Sequence, residues 1–405
     1  MKKTQIVAIL LATLCLFTAC GATGFESATP TTKPDDTTPE SPLTTEDTSI
    51  LETPAAPEMD RYVEMLALDA RKDFFYEKGT NDEFVYLTYS YTPKEMYFVI
   101  IKEYTGSSPS VTIPDSLEGS PVVGFYHNMF EQCSFVEDIS FPDTLRTVIM
   151  SSSAESDICL DNTKWYHNQP DGIYYAGNIA VGYKGDIPTD TVLTFREGTI
   201  GIGGGAFFSQ DNITGIQIPE SMIIIGRHAF QYAGLTELHI PGTMMLFDHA
   251  FNSCRALTSV SFGEGIETIY AAFSGCSALS QLSLPSTLVT IEDCAFIDCE
   301  SLLSVQLPDS TKTIGERAFQ GAGLIEVSLN EGLSYIKDEA FDGCVSLQSV
   351  YIPGSVDSFG SIPFGYNNEK LIDGFVAVFE KECSFKDHLE DKGITCRIGT
   401  RESVQ

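Results

Sequence analysis

A predominantly β solenoid of stacked coils is the fold this sequence predicts, and three observations carry the prediction. The first is an Ala-Phe pair recurring at Ala206-Phe207, Ala229-Phe230, Ala250-Phe251, Ala272-Phe273, Ala295-Phe296, Ala318-Phe319 and Ala340-Phe341, with Pro363-Phe364 as a degraded last copy. Successive Phe residues lie 21 to 23 positions apart, a period that belongs to leucine-rich solenoids and not to one compact core. The second is an apolar ladder within each unit, such as Leu302-Leu-Ser-Val305-Gln-Leu307 and Leu324-Ile-Glu-Val327-Ser-Leu329. Its later apolar residues alternate with polar ones, as in a short strand with one buried face. The third is the turn that follows, as in Pro285-Ser286-Thr287 and Pro308-Asp309-Ser310, where proline ends the strand because it cannot donate to a ladder. A stack buries its core coil by coil, so the length of 405 residues does not count domains.

The elements follow in chain order. Residues 1–19 read as an export leader: Lys2 and Lys3 precede an apolar run from Ile6 to Ala19 that is too short to span a bilayer. Its end, Leu16-Phe17-Thr18-Ala19-Cys20-Gly21, resembles the lipobox of bacterial lipoproteins, with Phe17 where Leu is usual. That resemblance implies lipidation of Cys20 and a membrane anchor; an ordinary cleaved signal with an incidental Cys is the alternative. Residues 20–57 are rich in Thr, Pro, Asp and Glu, too poor in large apolar groups to fold alone. As an extended tether they would reach on the order of 100 Å.

Residues 58–105 form an N-terminal cap, with a helix expected at Tyr62 to Glu77 and strands near Phe84 to Tyr91 and Tyr97 to Tyr104. The first repeats occupy 106–149, as in Val111-Thr-Ile113-Pro114 and Val136-Glu-Asp-Ile139-Ser-Phe141-Pro142. Between Phe130 and Phe207 the rhythm breaks over 77 residues. An insertion at 150–192 carries Trp165, the single tryptophan, with Tyr166, and then a hairpin turning at Gly177-Asn178. The main array occupies 193–370, and the coils before Phe251 and Phe273 are expected to be locally irregular. Residues 371–405 read as a strand-helix-strand cap, because the end coil of a solenoid exposes apolar faces that an atypical unit must cover.

The consensus apolar-x-x-apolar-x-apolar-Pro-x-Ser/Thr-apolar-x-x-Ile-x-x-x-Ala-Phe-x-x-Cys, over about residues 97–398, closely resembles the BspA-like class of bacterial surface leucine-rich repeats. The resemblance implies a cell-surface protein of adhesin-like type that binds molecules of a host or neighbouring cell. It carries over no ligand residue, since the shared pattern is scaffold.

Composition and motifs narrow the function classes. Net charge is −32, and losing Lys2 and Lys3 with the leader makes it about −34. Nucleic-acid binding needs a basic face and is set aside. There is no His-Glu-x-x-His pair, no Gly-x-Ser-x-Gly elbow and no phosphate loop, so no catalytic residue, cofactor or metal is expected. Cys133, Cys254, Cys276, Cys299 and Cys344 each follow a repeat Phe by three residues, where other copies have Ala233 and Ala322. They read as buried free thiols, with Cys383 and Cys396 as the disulfide candidate. Recognition is expected on the outward strand column Gln217, His239, Ser261, Ser283, Gln306, Ser328 and Tyr351, with Trp165 and Tyr166 as further ligand-binding candidates, although a small satellite core that staples the hairpin to the stack is the favoured reading of the insertion's aromatics. A small polar face favours a protein or peptide ligand over a glycan. A structural envelope protein without a discrete ligand is the alternative.

Overall fold

The structure, a computed structural model, describes residues 62, 75–91, 96–149, 159–367 and 370–404. The leader, Cys20, the tether and most of the helix expected at 62–77 lie outside these residues. At its end that expectation fails, because Phe75–Thr80 is a strand. It pairs antiparallel with Phe84–Tyr91, so Tyr76 and Tyr89 lie in register.

Phe84–Tyr91 continues to Met96–Tyr104, also antiparallel. Met96–Tyr104 then pairs parallel with Ser120–Tyr126, and Ser120–Tyr126 with Thr147–Ile149, also parallel. The antiparallel meander thus covers the first face of the stack. Beyond it each coil contributes two short parallel strands. The longer ladder includes Glu237–Ile240, Ser259–Phe262 and Gln281–Ser283, then Ser304–Gln306 with Glu326–Ser328. The shorter runs unbroken through Thr268–Ile269, Thr290–Ile291, Thr313–Ile314, Tyr335–Ile336 and Ser358–Phe359.

The longer ladder is interrupted at several places, and spacing alone does not set them, since Ile213–Gln217 and Glu237–Ile240 stand 22 residues apart in separate sheets whereas Val192 pairs with Gly215 at 23. Steps of 22 residues, from Glu237 to Ser259 to Gln281 and from Ser304 to Glu326, keep strand register. Between Gln281 and Ser304, and between Glu326 and Ser349, the step is 23 residues and the strands fall into separate sheets. Leu282 beside the first break is only half-buried, whereas Val260 and Val305 are buried. Two shorter copies use Gly234 and Gly323 after the Phe corner. A Cβ there would collide with the carbonyl oxygens of Asp211 and Glu300 in the preceding coil, so only glycine fits.

The Phe residues form the spine of the stack. From Phe207 to Phe364 successive rings lie 4.9 to 5.7 Å apart, with planes within 13° of parallel. Phe296 and its neighbours Phe273 and Phe319 are wholly buried, as expected of the largest apolar group in each coil. On either side of most Phe residues the backbone turns left-handed. Cys294 and Asp298 have φ of 61° and 55°, and the equivalent places hold His228, Tyr232, His249, Ser253, Arg317 and Glu339, all with positive φ. This alternation points amide groups forward. The N–H groups of Cys294, Phe296 and Asp298 donate to the carbonyls of Glu316, Ala318 and Gln320 in the next coil at 2.7 to 2.8 Å.

Irregularity appears at Ala271, the place before Phe273 that has no left-handed residue. Before Phe251 the corner keeps left-handed His249, and it is the shorter strand that shrinks, to a bridge between Ile224 and Leu246.

The five repeat cysteines are buried and free. Four of the thiols donate to the Phe carbonyl of the coil before: Cys254 to Phe230, Cys276 to Phe251, Cys299 to Phe273 and Cys344 to Phe319, at 3.1 to 3.4 Å. Burial pushes Cys276 and Cys344 up to about 12 and Cys254 and Cys299 well above the usual thiol range, so these sulfurs stay protonated. Cys294 is disulfide-bonded. Cys383 and Cys396, the pair expected to be a disulfide, are both free. Both pack as small apolar groups on the core, Cys383 beside Ile352, Val356 and Phe379 and Cys396 on the strand Thr395–Ile398.

The insertion enters the stack itself. Gly172–Ala176 and Ile179–Lys184 form the antiparallel hairpin, and Ile179 and Ala180 pair parallel with Gly201 and Ile202. Its second strand therefore serves as one rung of the shorter ladder. At the far end Val376–Phe379 pairs parallel with Ser349–Ile352. A helix, Ser384–Asp391, then returns the chain to Thr395–Ile398, which pairs parallel with Val376–Phe379. No helix of the described residues is long and apolar enough to cross a membrane.

Candidate functional site

Strand alternation places every second side chain on the outward face, and pairing aligns these into columns. His239, Ser261 and Ser283 are direct partners, as are Gln306 and Ser328. Gln217, His239, Ser283 and Gln306 are exposed, and Ser261 and Ser328 half-buried. His239 Nδ1 lies 2.9 Å from Ser261 Oγ, so the column is joined by a side-chain hydrogen bond across two coils.

A neighbouring column is held more tightly. The hydroxyls of Thr236, Thr258 and Ser280 donate to the carbonyls of Thr214, Thr236 and Thr258 in the preceding coils at 3.0 to 3.4 Å. Leu303 and Ile325 continue this column and are 53% and 57% exposed. They replace a hydrogen-bonding group by an apolar one that the fold does not cover. Their positions in Leu302-Leu303 and Leu324-Ile325 were the available signal, since earlier copies have Thr258 and Ser280 there.

Three expected site residues are placed differently. Trp165 is buried, its ring edge-on to Phe141 at 5.6 Å and to Tyr174 at 6.4 Å. It staples the insertion to the first coils and is not available to a ligand. Tyr166 is half-buried against Tyr174, with Lys184 Nζ 5.6 Å from its ring centre. Tyr351 is buried because the turn Arg401–Val404 lies over it, with Arg401 Cζ 5.2 Å from its ring centre. Val378, its partner in register, is buried as well. The outward face therefore changes character at its last strands: open and polar up to Gln306, covered from Tyr351 onward.

Arg401 was not legible as a site residue, since one arginine in Gly399-Thr-Arg-Glu-Ser403 carries no spacing signal. Its guanidinium makes three hydrogen bonds to the neighbouring coil. Nη1 donates to Ser328 Oγ at 2.9 Å, and Nη2 to the Leu329 carbonyl at 2.7 Å and to Glu331 Oε1 at 2.9 Å.

A second polar cluster sits on the left-handed corners. Asp248 Oδ1 lies 2.7 Å from His249 Nδ1, and Arg227 approaches the same carboxylate at 3.5 Å. Burial pushes the Asp248 carboxyl upward, but His249 and Arg227 outweigh it and hold it below the usual carboxylate range. Beside them His228 is pushed down to about 3 by burial, with His249 and Arg227 adding to the effect. Its Nδ1 is buried without a hydrogen-bond partner. Among the described residues no three His, Cys, Asp or Glu side chains converge as a metal site.

A family model for the BspA type leucine rich repeat region matches residues 190–271 and 245–371, in 6 copies. Solved structures with similar chains include a leucine-rich repeat protein from Bacteroides ovatus. It is 20% identical, with 82% of this chain and 76% of that chain covered and a TM-score of 0.45. A leucine rich cell surface protein from Faecalibacterium prausnitzii is 18% identical, with coverage of 80% and 96% and a TM-score of 0.36. The leucine rich repeat protein of T. pallidum is 19% identical, with coverage of 68% and 89% and a TM-score of 0.23. No curated protein matches the chain.

Proposed function

Because residues 190–371 are a leucine-rich repeat region of the BspA type, we propose that the chain is a bacterial surface lipoprotein. In this reading it is anchored through Cys20 and holds its solenoid away from the membrane for adhesin-like contact with a protein or peptide. The observation that carries this reading is the outward strand face, where Gln217, His239, Ser283 and Gln306 stand exposed on a rigid ladder. A backbone already held by ladder hydrogen bonds needs no further ordering on contact. The exposed aliphatic pair Leu303 and Ile325 beside them gives the surface an apolar contact that a glycan platform of stacked aromatics would not use.

Purified Pro54–Gln405, the compact unit, applied to arrays of proteins and glycans tests the binding role. Saturable binding to a protein that Ser283→Trp or Gln306→Trp abolishes is the expected result. Failure to bind anything across the arrays favours a structural envelope role instead. Anchoring has its own measurement: Cys20→Ala is expected to move the protein from the membrane fraction to the medium or soluble fraction, and unchanged retention refutes lipidation.

A further inference from the structure

We propose that Ser328, the Leu329 carbonyl, Glu331 and Tyr351 form an arginine-recognition site. In the free protein it is filled by the chain's own Arg401, and a partner carrying an exposed arginine in an extended segment displaces that occupant. The inference deepens the reading of the strand face as a binding surface and rests on it.

The contacts are those that select a guanidinium. Arg401 lies over an aromatic face, donates to one hydroxyl and one carbonyl, and pairs with one carboxylate. An ammonium group cannot satisfy acceptors in this planar arrangement, because its three donors spread tetrahedrally from one atom. The acceptors belong to the coil of Glu326–Ser328 and the turn after it, and the ring to the next strand, Ser349–Ile352. These two strands fall in different sheets, and the guanidinium spans that junction.

The occupant is weakly committed to its place. The Arg401 side chain remains 44% exposed and the Glu331 carboxylate 63% exposed. Besides Glu331, the carboxylates of Glu380 and Glu402 lie near Tyr351, with Arg401 the opposing charge. Upstream the face is open, and Gln306 pairs in register with Ser328. A partner segment entering along the exposed column meets the guanidinium site at its end. Tyr351 is also the one aromatic in a column otherwise made of Gln, His and Ser, and the site gives it a purpose that scaffold alone does not.

The test uses a fluorescein-labelled peptide of residues 397–404, titrated against full-length chain. Wild type is expected to leave the peptide free up to about 1 mM, because a tethered occupant competes at an effective concentration of that order. Full-length Arg401→Ala is expected to bind it saturably. In that background Glu331→Gln and Tyr351→Leu should each weaken uptake by about tenfold, as should a peptide with lysine at position 401 and Arg397 kept. Two results overturn the proposal: an Arg401→Ala chain with wild-type melting that takes up no peptide, or equal uptake of arginine and lysine peptides. Either would leave array binding that depends on Ser283 and Gln306 untouched, so failure here is distinct from failure of the binding role.

Discussion

Phe296→Ala removes one ring from the middle of the spine. Phe296 is 0% exposed and lies parallel to Phe273 at 5.6 Å and to Phe319 at 5.4 Å. Truncating a buried Phe costs about 3 to 5 kcal/mol, and ring contacts contribute about 0.5 to 1.5 kcal/mol each beyond area. With both neighbours losing a partner, a loss of about 5 kcal/mol is expected, against a total stability of about 5 to 15 kcal/mol for an ordinary domain. In a one-dimensional stack this loss falls on the coupling between coils, so the effect is qualitative too. Urea unfolding followed by Trp165 fluorescence reports the first coils, where that ring packs on Phe141 and Tyr174; far-UV circular dichroism reports the whole stack. The two probes are expected to separate in Phe296→Ala. Cys299→Ala, three residues on, is the control and should cost about 1 kcal/mol, since only a thiol hydrogen bond to Phe273 is lost. Coincident transitions, or a Phe296→Ala loss no larger than that of Cys299→Ala, refute the account of the spine.

Further outcomes follow from the corners and thiols. Maleimide at pH 7.5, mapped by peptide mass spectrometry, should label Cys383 in the native protein and Cys396 only slowly, because burial pushes that thiol up to about 11, and should reach Cys133, Cys254, Cys276, Cys299 and Cys344 only after unfolding. Ser253→Gly, at a left-handed residue with φ of 58°, should raise stability by up to about 1 kcal/mol; a fall in melting temperature contradicts the strain argument. His228, lowered to about 3 in the folded state, binds its proton more readily when unfolded, so its contribution to stability declines as pH falls from about 6.5 toward about 3. By pH 5 the loss is at most about 2 kcal/mol. His228→Asn should flatten urea-midpoint dependence between pH 7.5 and 5, and an unchanged slope contradicts it.

The repeat was legible because each coil repeats one physical solution. A buried Phe beside a small Ala leaves the same mark every 21 to 23 residues. The small packing site at Cys276 was legible from Ala233 and Ala322 in the same place. What could not be read were contacts between distant segments. Tyr351 has the spacing of an exposed residue, and only the turn at Arg401, some 50 positions later, buries it. Trp165 reads first as part of a small satellite core, but its partners Phe141 and Tyr174, which meet it from two other elements, left no mark in the sequence. The left-handed corners at His228, Cys294 and Arg317 left no trace, because residues other than glycine fill them. The forward amide bonds hold these backbones whatever the side chain.

Those amide bonds give the stack a direction. At its Phe corner each coil presents donors to the one after it and acceptors to the one before, as Phe273, Phe296 and Phe319 do with Ala295, Ala318 and Ala340. A duplicated coil spliced between two others therefore finds both neighbours already complementary, and a deleted one leaves matching surfaces behind. Recombination within the gene can lengthen or shorten the array without redesigning it, whereas the two end units, each made to meet only one kind of surface, cannot be exchanged.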